Sequence, residues 1–412
     1  MKYINFNIKL VLALGSCFLS LFMNAQQLET FIEEALTNSP EIQKFELQYS
    51  IASEKVNEVN TIPNTEFGVG YFVSEPETRT GAQRFKVSAK QMLPWFGNIT
   101  ARENYVSSLA EATYENIAIA KRKLMASVSQ SYYNLYANMA KQEVLIENIS
   151  LLETYETLAL TSVEVGKASV VDVLRLQMRQ NEMEQLKNVL EQQYLAEQTS
   201  LNNFLNRDNN VATHVVDELN IPSEDFDINI KNLDLHPELL KYDKLYQSVE
   251  KSELLNQKES SPMIGFGLDY INVEKRPNMN FSDNGKDIIM PMVSVSIPIF
   301  NTKYKSKTKQ NELQQQEVLA QKQERLNALE TLLDKAINNR ISARISYKTQ
   351  TKNLTKAKNV EEILIKSYET GTINFNDVLD IQELQLKFQI NQIEAIKNYY
   401  LQTTIINYLT KQ

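Results

Sequence analysis

The side chains that most often carry out catalysis or bind metals are scarce in this chain. Its 412 residues include one cysteine, Cys17, and two histidines, His214 and His236. No Ser/His/Asp or Cys/His arrangement, phosphate-binding loop or zinc-ligand spacing is present. The histidines are therefore predicted to be structural, and the eleven methionines to fill apolar regions rather than to bind copper. These residue types predict that the protein is not an enzyme and needs no cofactor or metal.

The overall charge excludes another class of function. The chain has 43 basic and 51 acidic side chains, which gives a net charge of −8, whereas a protein that binds nucleic-acid phosphates needs a basic face. Charged residues make up 23% of the chain and hydrophobic residues 42%. This composition predicts neither a disordered chain nor a protein with many membrane-spanning helices.

The N-terminus has the order of a secretory signal peptide. Lys2 and Lys9 precede an apolar run over residues 10–23, and Ala25 supplies a small residue for cleavage. We therefore predict a signal peptide over residues 1–25, with a short membrane anchor as the alternative. Residues 14–17 also resemble a lipoprotein box, so the sequence leaves open whether Cys17 is lipidated, although the apolar run beyond it favours cleavage after Ala25.

Glycine and proline show that the chain is an internal duplication. There are ten of each, and sixteen of the twenty form eight ordered pairs separated by 197 to 205 residues, which indicates a repeat of that period. Residues 26–205 are predicted to form the first repeat, residues 206–235 a connector and residues 236–412 the second repeat. The pairs join Pro40, Pro63, Gly68, Gly70, Pro76, Gly81, Pro94 and Gly166 to Pro237, Pro262, Gly265, Gly267, Pro277, Gly285, Pro298 and Gly371.

Each repeat is predicted to contain one long helical hairpin. Residues 98–165 contain no glycine or proline, and their apolar residues recur at spacings of three, four or seven. Gly166 interrupts this pattern within a hairpin over residues 98–205, and Gly371 interrupts a second hairpin over residues 301–409. A continuous helix over residues 98–165 would be about 100 Å long, which is too long for a globular domain. The hairpins must therefore pack side by side, as a bundle or coiled coil.

Each repeat also contains two short segments in which apolar residues alternate with polar or very small ones. The four segments are residues 64–74, 83–93, 263–273 and 288–298. Their length is that of a tilted membrane strand, and each has one apolar face. A half-buried hairpin of a water-soluble domain is the alternative, but the adjoining long helices favour a membrane.

Four strands cannot close a barrel. An open sheet in lipid would leave the backbone groups at its edges without hydrogen bonds, at a cost of several kcal/mol each. Several copies must therefore share one barrel if these strands enter a membrane. Two copies would supply the roughly 8 strands of the smallest known barrels and three copies about 12, and a lumen wide enough for a solute favours the larger number.

The duplicated elements and three motifs resemble the TolC-like outer-membrane efflux proteins, also called outer-membrane factors. The motifs are residues 38–42 (NSPEI), residues 91–97 (QMLPWFG) and the hairpin ends around Gly166 and Gly371. The most specific piece is Tyr-x2-Gly-x5-Asp-Val-Leu-Asp over residues 368–380, and the resemblance covers essentially the whole mature chain. The Pro-Trp-Phe-Gly tetrapeptide is most similar to the cation-efflux branch of the family.

The resemblance implies a fold, a location and partners. The chain is expected to be mainly α-helical, with the duplicated hairpins of a homotrimer forming a long α-helical barrel in the periplasm. Four strands from each chain would complete a 12-stranded barrel in outer-membrane lipid. The implied function is the exit duct of a tripartite efflux or type I secretion-like system, which docks to a periplasmic adaptor protein and an inner-membrane pump. A periplasmic coiled-coil adaptor or tether is the alternative, because such proteins also have long helical hairpins.

The resemblance also assigns roles at the hairpin ends. Asp377 and Asp380 match the acidic rings of the family's periplasmic entrance, and six such carboxylates in a trimer would repel anions and attract cations. The alternative for Asp377 is that it caps the helix after Gly371. Gating contacts map to Tyr368 with Asp172, but the family's arginine partner is Ile373 here, so the latch is partial, with Lys167 as a substitute. Gly166 and Gly371 are expected to adopt positive φ at the ends that dock the adaptor.

Two further groups of side chains are predicted to have roles in the barrel. Arg84, Lys86 and Lys90 share one strand face and are predicted to line the lumen; the alternative is that they extend to lipid head groups. Five aromatic residues are predicted to form a girdle at the membrane interface, although they could instead fill the junctions between strands and helices. These residues are Tyr71, Trp95, Phe96, Tyr270 and Phe300.

Overall fold

The computed structural model describes residues 27–166, 169–225, 230–370, 372–373 and 375–410. The predicted signal peptide, with Cys17, lies outside the described residues, and so do Lys167 and Gly371. Within the described part the predicted fold class is confirmed, because the chain is mainly helical and has one small antiparallel sheet.

Two very long helices and two shorter partners dominate the described chain. Helices α3 (Asn98–Glu164) and α6 (Lys303–Glu369) have 67 residues each. They are followed by α4 (Val170–Phe204) and α7 (Phe375–Thr410), so the described chain breaks from helix where the sequence predicted the two hairpin ends. Among the described residues, no helix combines the length and apolar character that are needed to cross a membrane. The remaining helices are α1 (residues 27–38), α2 (Pro40–Val59), α5 (Pro237–Glu259) and a 3-10 helix at Ile230–Leu235.

Five strands form the sheet, one more than the sequence predicted. They are β1 (Glu66–Tyr71), β2 (Glu77–Thr78), β3 (Gly81–Pro94), β4 (Met263–Val273) and β5 (Ile288–Ser296). The order is β1-β3-β4-β5, all antiparallel, and the two-residue β2 pairs only with β3. The two predicted hairpins are therefore joined through β3 and β4, and β1 and β5 lie at the edges of the sheet.

The described residues divide into two compact units that do not follow the sequence repeats. The sheet unit comprises Lys44–Ile117 and Pro237–Arg325, and the helical unit comprises the described residues within 27–43, 118–236 and 326–410. Each unit takes residues from both repeats. In the sheet unit the reason is the β3–β4 ladder, which hydrogen-bonds a strand of the first repeat to a strand of the second.

An apolar core holds the hairpin ends of the helical unit together. Side chains of α3, α4 and α7 are buried against one another there, and Tyr368 and Ile373 pack against them. The central residues are Leu145, Leu152, Tyr155, Ala159, Val173, Leu176, Met183, Phe375, Val378 and Leu386. The helical spacing of the apolar residues, which indicated the hairpins in the sequence, thus reflects packing between neighbouring helices.

The connector runs along the helical unit as a fixed strap, here defined as residues 206–225. Its backbone is hydrogen-bonded to four tyrosine hydroxyls. One of the four is the hydroxyl of Tyr400. Burial raises the pKa of Tyr400 to about 12, so its hydroxyl stays protonated and donates a hydrogen bond at neutral pH. Tyr132 accepts from the N–H of Val216 at 3.3 Å and Tyr136 from that of Leu219 at 3.2 Å, while Tyr194 donates to the carbonyl of Thr213 at 2.5 Å and Tyr400 to that of Asn220 at 2.6 Å.

Asp225 anchors the end of the strap. Its carboxylate accepts hydrogen bonds from Arg344 and from the hydroxyl of Tyr399, both at 2.6 Å, and Arg340 lies 3.6 Å away. Burial acts to raise the pKa of Asp225, but the hydrogen bonds from Arg344 and Tyr399 outweigh it and hold the pKa below its ordinary value. The ionised carboxylate therefore stabilises the folded helical unit.

We expect Asp225→Asn to lower the free energy of unfolding at pH 7 by about 1–3 kcal/mol, because charged hydrogen bonds to Arg344 are lost. The folded-state pKa lies below the unfolded one, so this stabilisation is present above about pH 4 and is lost as the pH falls through the folded-state value. Thermal unfolding between pH 3 and pH 8 measures both effects. Asp217→Asn is the matched control, because Asp217 is exposed on the same strap; equal losses for the two variants would contradict the assignment.

Candidate functional site

The sheet has one apolar face, as the alternation in the sequence predicted. The registers place apolar side chains of all four long strands in adjacent rows on this face. Phe67 and Val293 are 78% and 72% exposed, so the face is uncovered in the single chain and is a surface that another apolar phase can cover. Its members are Phe67, Val69, Tyr71, Phe85, Val87, Phe266, Leu268, Ile289, Val293 and Val295.

The opposite face carries small and charged side chains. Ser88 of β3 lies beside Gly68 of β1 and opposite Asp269 of β4. Asp269 is fully buried and forms an ion pair with Lys86. A buried carboxylate needs such a partner, because removing the partner would leave an uncompensated charge. The alternation along β4 is consistent with Asp269 on this face, but its pairing with Lys86 depends on the register of β3 and β4.

The three predicted lumen residues have different surroundings. Lys86 and Lys90 lie on the polar face of the regular ladder. Arg84 lies at a break in the β3–β4 register between Gln83 and Phe85, and it pairs instead with the carboxylates of Glu75 and Glu274 in the loops. The alternation of apolar and polar residues in the sequence does not reveal this break in the register. The role of all three residues in a lumen remains a prediction.

The loops at one end of the sheet are tied together across the two repeats. Arg79 pairs with Asp283, and Arg276 pairs with Glu77 and also donates to the carbonyl of Thr78. Exposed ion pairs contribute little singly, about 0–1 kcal/mol each. Together they link the loop after β1 to the loop between β4 and β5.

Exposed aromatic residues surround the other end of the sheet. Trp95 and Phe96 follow β3 and contact each other edge to face, with ring centroids 5.8 Å apart. Phe96 is 83% exposed and Phe300 fully exposed. For Phe96 and Phe300, these exposures favour a place in the predicted girdle at the membrane interface over burial at the junctions between strands and helices.

In the helical unit, Asp377 and Asp380 are both exposed on α7. Asp377 lies in the first turn, where a carboxylate is favoured by the helix dipole. Asp380 lines a cleft of about 300 Å³ together with Arg175 and Arg179. The entrance role of the two aspartates remains a prediction, and the two guanidinium groups offset part of the negative charge near Asp380.

Arg175 and Arg179 were not identified from the sequence. Arg175 donates to the side chain of Asn376 at 2.5 Å, and Arg179 pairs with Glu182 and lies 3.7 Å from Glu383. A signal was available, because the duplication aligns residues 163–177 with 368–382 and so sets Arg175 against Asp380. Equivalent positions of the two repeats thus carry opposite charges.

The predicted gating residues are not joined in this structure. Asp172 completes a capping box at the start of α4, because its carboxylate accepts from the backbone N–H of Ser169 at 3.2 Å. The hydroxyl of Tyr368 is buried without a hydrogen-bond partner among the described residues, and its ring packs against Phe375 with centroids 4.9 Å apart. The latch remains a prediction.

Gly166 has the backbone conformation that the sequence predicted. Its φ is +71° and its N–H donates to the carbonyl of Val163 at 2.9 Å. Apart from its neighbours in the chain, none of the described residues has a heavy atom within 4 Å of the position that a Cβ would occupy. Glycine is therefore favoured here by conformation rather than by space. Its part in docking an adaptor, like that of Gly371, remains a prediction.

A carboxylate that the sequence analysis missed links three helices beside these ends. Glu361 of α6 accepts hydrogen bonds from Tyr155 of α3 at 3.0 Å and from Gln382 and Gln385 of α7 at 3.0 and 2.7 Å. Burial, and then the charge of Glu361, raise the pKa of Tyr155, so its hydroxyl stays protonated. Elsewhere in the described residues, no group of three or more His, Cys, Asp or Glu side chains is placed to hold a metal ion.

Comparison with known proteins gives one family match and several structural matches. Residues 31–207 match the family model described as outer membrane efflux protein. The channel-forming protein CusC has 13% identity and a TM-score of 0.77 over 93% of this chain and 92% of its own. The outer membrane protein VceC of Vibrio cholerae has 14% identity and a TM-score of 0.73 over 93% and 96%, and the CmeC outer membrane channel of Campylobacter jejuni has 14% identity and a TM-score of 0.72 over 93% and 85%. No curated protein sequence matches the chain.

We expect Glu361→Leu to lower the free energy of unfolding by about 1–3 kcal/mol for each buried donor left without an acceptor. Tyr155→Phe should cost less in the Glu361→Leu background than in the wild type, because the acceptor of its hydroxyl is already gone. Chemical denaturation of the four proteins in this double-mutant cycle measures the coupling. Glu362→Leu, an exposed neighbour, is the control, and additive effects of the two substitutions would contradict the hydrogen-bond network.

Proposed function

We propose that this chain, whose residues 31–207 match the family model described as outer membrane efflux protein, is the passive exit duct of a tripartite efflux or type I secretion-like system. The family match and the shared fold support the resemblance to TolC-like outer-membrane efflux proteins, and with it a location in the cell outer membrane. The exported solute, the trimer and the partner proteins are parts of the proposal.

The sheet is the observation that supports the duct best. One face of it is apolar and uncovered, and both edge strands have one side without a ladder partner among the described residues. Lipid can cover the face, but it cannot hydrogen-bond to the edges. Further copies of the chain satisfy the edges, and three copies supply the 12 long strands that the family resemblance implies.

A periplasmic adaptor or tether is less well supported. Long helical hairpins are common to both classes of protein, so the helices do not separate them. An adaptor that stays in water would need to bury the apolar face of its strands, whereas Val69 is 81% exposed. The uncovered face therefore favours the duct.

The helical unit supports a route for small solutes or metal cations. We assign Asp377 and Asp380 to the periplasmic entrance, where carboxylates of three chains would attract cations. Arg175 and Arg179 would reduce this attraction near Asp380 and so limit it to a moderate preference. The hairpin ends at Gly166 and Gly371 are assigned to contact with a periplasmic adaptor, which in turn connects to an inner-membrane pump that supplies the energy.

We expect the protein to be extracted from outer membranes only by detergent and to run as a trimer that heating dissociates.

Val69→Arg should reduce assembly in the membrane, because a charged side chain on a lipid-facing strand costs about 2–4 kcal/mol near the bilayer centre. Gly70→Arg is the matched control, because it lies on the opposite face with no heavy atom within 4 Å of a new Cβ. A water-soluble monomer in the periplasm would overturn the proposed function.

We expect Asp377→Asn combined with Asp380→Asn to weaken the block of channel current by divalent cations several-fold, because the entrance loses six carboxylates in a trimer. Asparagine keeps a hydrogen-bond acceptor at the start of α7, so capping is preserved. Planar-bilayer conductance with increasing divalent cation measures the block. Glu324→Gln combined with Glu330→Gln removes the same charge from exposed positions of α6; an unchanged block in the aspartate variant would exclude those residues from the entrance.

A further inference from the structure

The first residues of α6 form a strongly basic surface, here called the basic segment. Residues 303–309 read Lys-Tyr-Lys-Ser-Lys-Thr-Lys, and no acidic residue lies between Asp287 and Glu312. Three of the four lysines, Lys303, Lys305 and Lys309, are exposed. This concentration of positive charge stands out in a chain whose net charge is −8.

Most of this charge is not balanced by the protein. Lys309 pairs with Glu312 at 2.8 Å, but Lys303, Lys305 and Lys307 form no ion pair with any of the described residues. One side of α6 packs against α5, because Asn256 of α5 donates to the carbonyl of Tyr304 at 3.0 Å and to Thr308 at 3.1 Å. The lysines flank this packed side and are free to bind an external anion.

The position of the lysines opposes the helix dipole. The amino end of a helix carries partial positive charge, so acidic residues stabilise it and lysines do not. Four other helices follow this rule and have an acid in the first turn, whereas α3 and α6 have none, and α6 begins with Lys303. The four are α2 with Glu41, α4 with Asp172, α5 with Glu238 and α7 with Asp377. Neither the helix dipole nor an acidic side chain of the first turn compensates the positive charge of the lysines on α6.

Exposed apolar side chains adjoin the basic segment. Ile299 is 72% exposed and Phe300 fully exposed, immediately before α6. Across the ladder, Ser296 pairs with Met263 and Met263 with Pro94, so Trp95 follows β3 at the same end of the sheet. A row of apolar side chains next to a row of lysines matches the boundary between acyl chains and head groups of a lipid leaflet.

We propose that residues 299–309 bind anionic phospholipids of the leaflet that faces the periplasm, with Ile299 and Phe300 among the acyl chains and Lys303, Lys305 and Lys307 at the phosphates. This inference rests on the proposed function, which places the helices on the periplasmic side of the membrane. The occupant is a phospholipid rather than free phosphate, because the apolar side chains are part of the same surface. The lysines thereby fix the depth at which the sheet sits in the bilayer.

The fluorescence of Trp95 can test the proposal, because Trp95 is the only tryptophan of the chain and lies at this end of the sheet. The full chain is reconstituted into phosphatidylcholine vesicles that contain a fixed fraction of brominated phosphatidylglycerol or of brominated phosphatidylcholine. Bromine quenches tryptophan fluorescence at short range, so the two lipids report which head group is enriched beside Trp95. We expect stronger quenching by the brominated phosphatidylglycerol at low salt and a smaller difference in 1 M salt.

The variants separate a lipid site from a general charge effect. Lys303→Gln, Lys305→Gln and Lys307→Gln together should reduce the preference for the anionic lipid by up to about a hundredfold, since each lysine near an anionic surface contributes roughly fivefold to binding. The corresponding arginine variant should keep the preference. Lys348→Gln, Lys352→Gln and Lys356→Gln remove the same charge from exposed positions of the same helix and should change nothing.

Two outcomes would overturn different conclusions. Equal quenching by the two lipids in the wild type, or an unchanged preference in the Lys303, Lys305 and Lys307 variant, would overturn the lipid site and leave the duct intact. Loss of the preference on addition of 10 mM glycerol phosphate would assign the lysines to free phosphate and would also overturn it. Absence of quenching by either brominated lipid would mean that the sheet does not enter the bilayer, which would contradict the proposed function itself.

Discussion

Hydrogen bonding at the two edges of the sheet is the constraint on which the proposed assembly depends. Within one chain, β3 and β4 are paired on both sides, whereas β1 and β5 are each paired on one side. Water can satisfy such edges, but lipid cannot. The uncovered apolar face directs the sheet into lipid, and the edges then require other chains. The proposed oligomer, its closed sheet and its lumen all depend on these two features together.

Charged side chains are arranged differently in the two units. In the sheet unit, the buried carboxylate of Asp269 is paired with Lys86 inside the chain, while Lys303, Lys305 and Lys307 of the basic segment form no ion pair with any of the described residues. In the helical unit, exposed carboxylates at the hairpin ends lie near the guanidinium groups of Arg175 and Arg179. An entrance built in this way would select by a balance of opposite charges rather than by one sign alone.

Packing in the helical unit relies on a few polar side chains that each join several elements. Glu361 joins three helices, and Asp225 joins the strap to α6 and α7 through Arg344 and Tyr399. Such groups are costly to bury unless every donor and acceptor is satisfied. The hydrogen bonds of Asp225, together with those of the tyrosine hydroxyls, hold a strap with little regular structure on long helices.

The sequence by itself determined the duplication, the long helices and the two faces of the sheet. These features depend on glycine and proline positions and on spacings of two or three to four residues, which are local properties. Only the tertiary structure decided which side chains meet: that Asp269 pairs with Lys86, that Arg84 leaves the ladder at an irregularity, and that Glu361 and Asp225 are joints between elements. The physical reason is that each of these contacts joins residues distant in the sequence. Strand register and helix packing bring them together, and no local pattern records either.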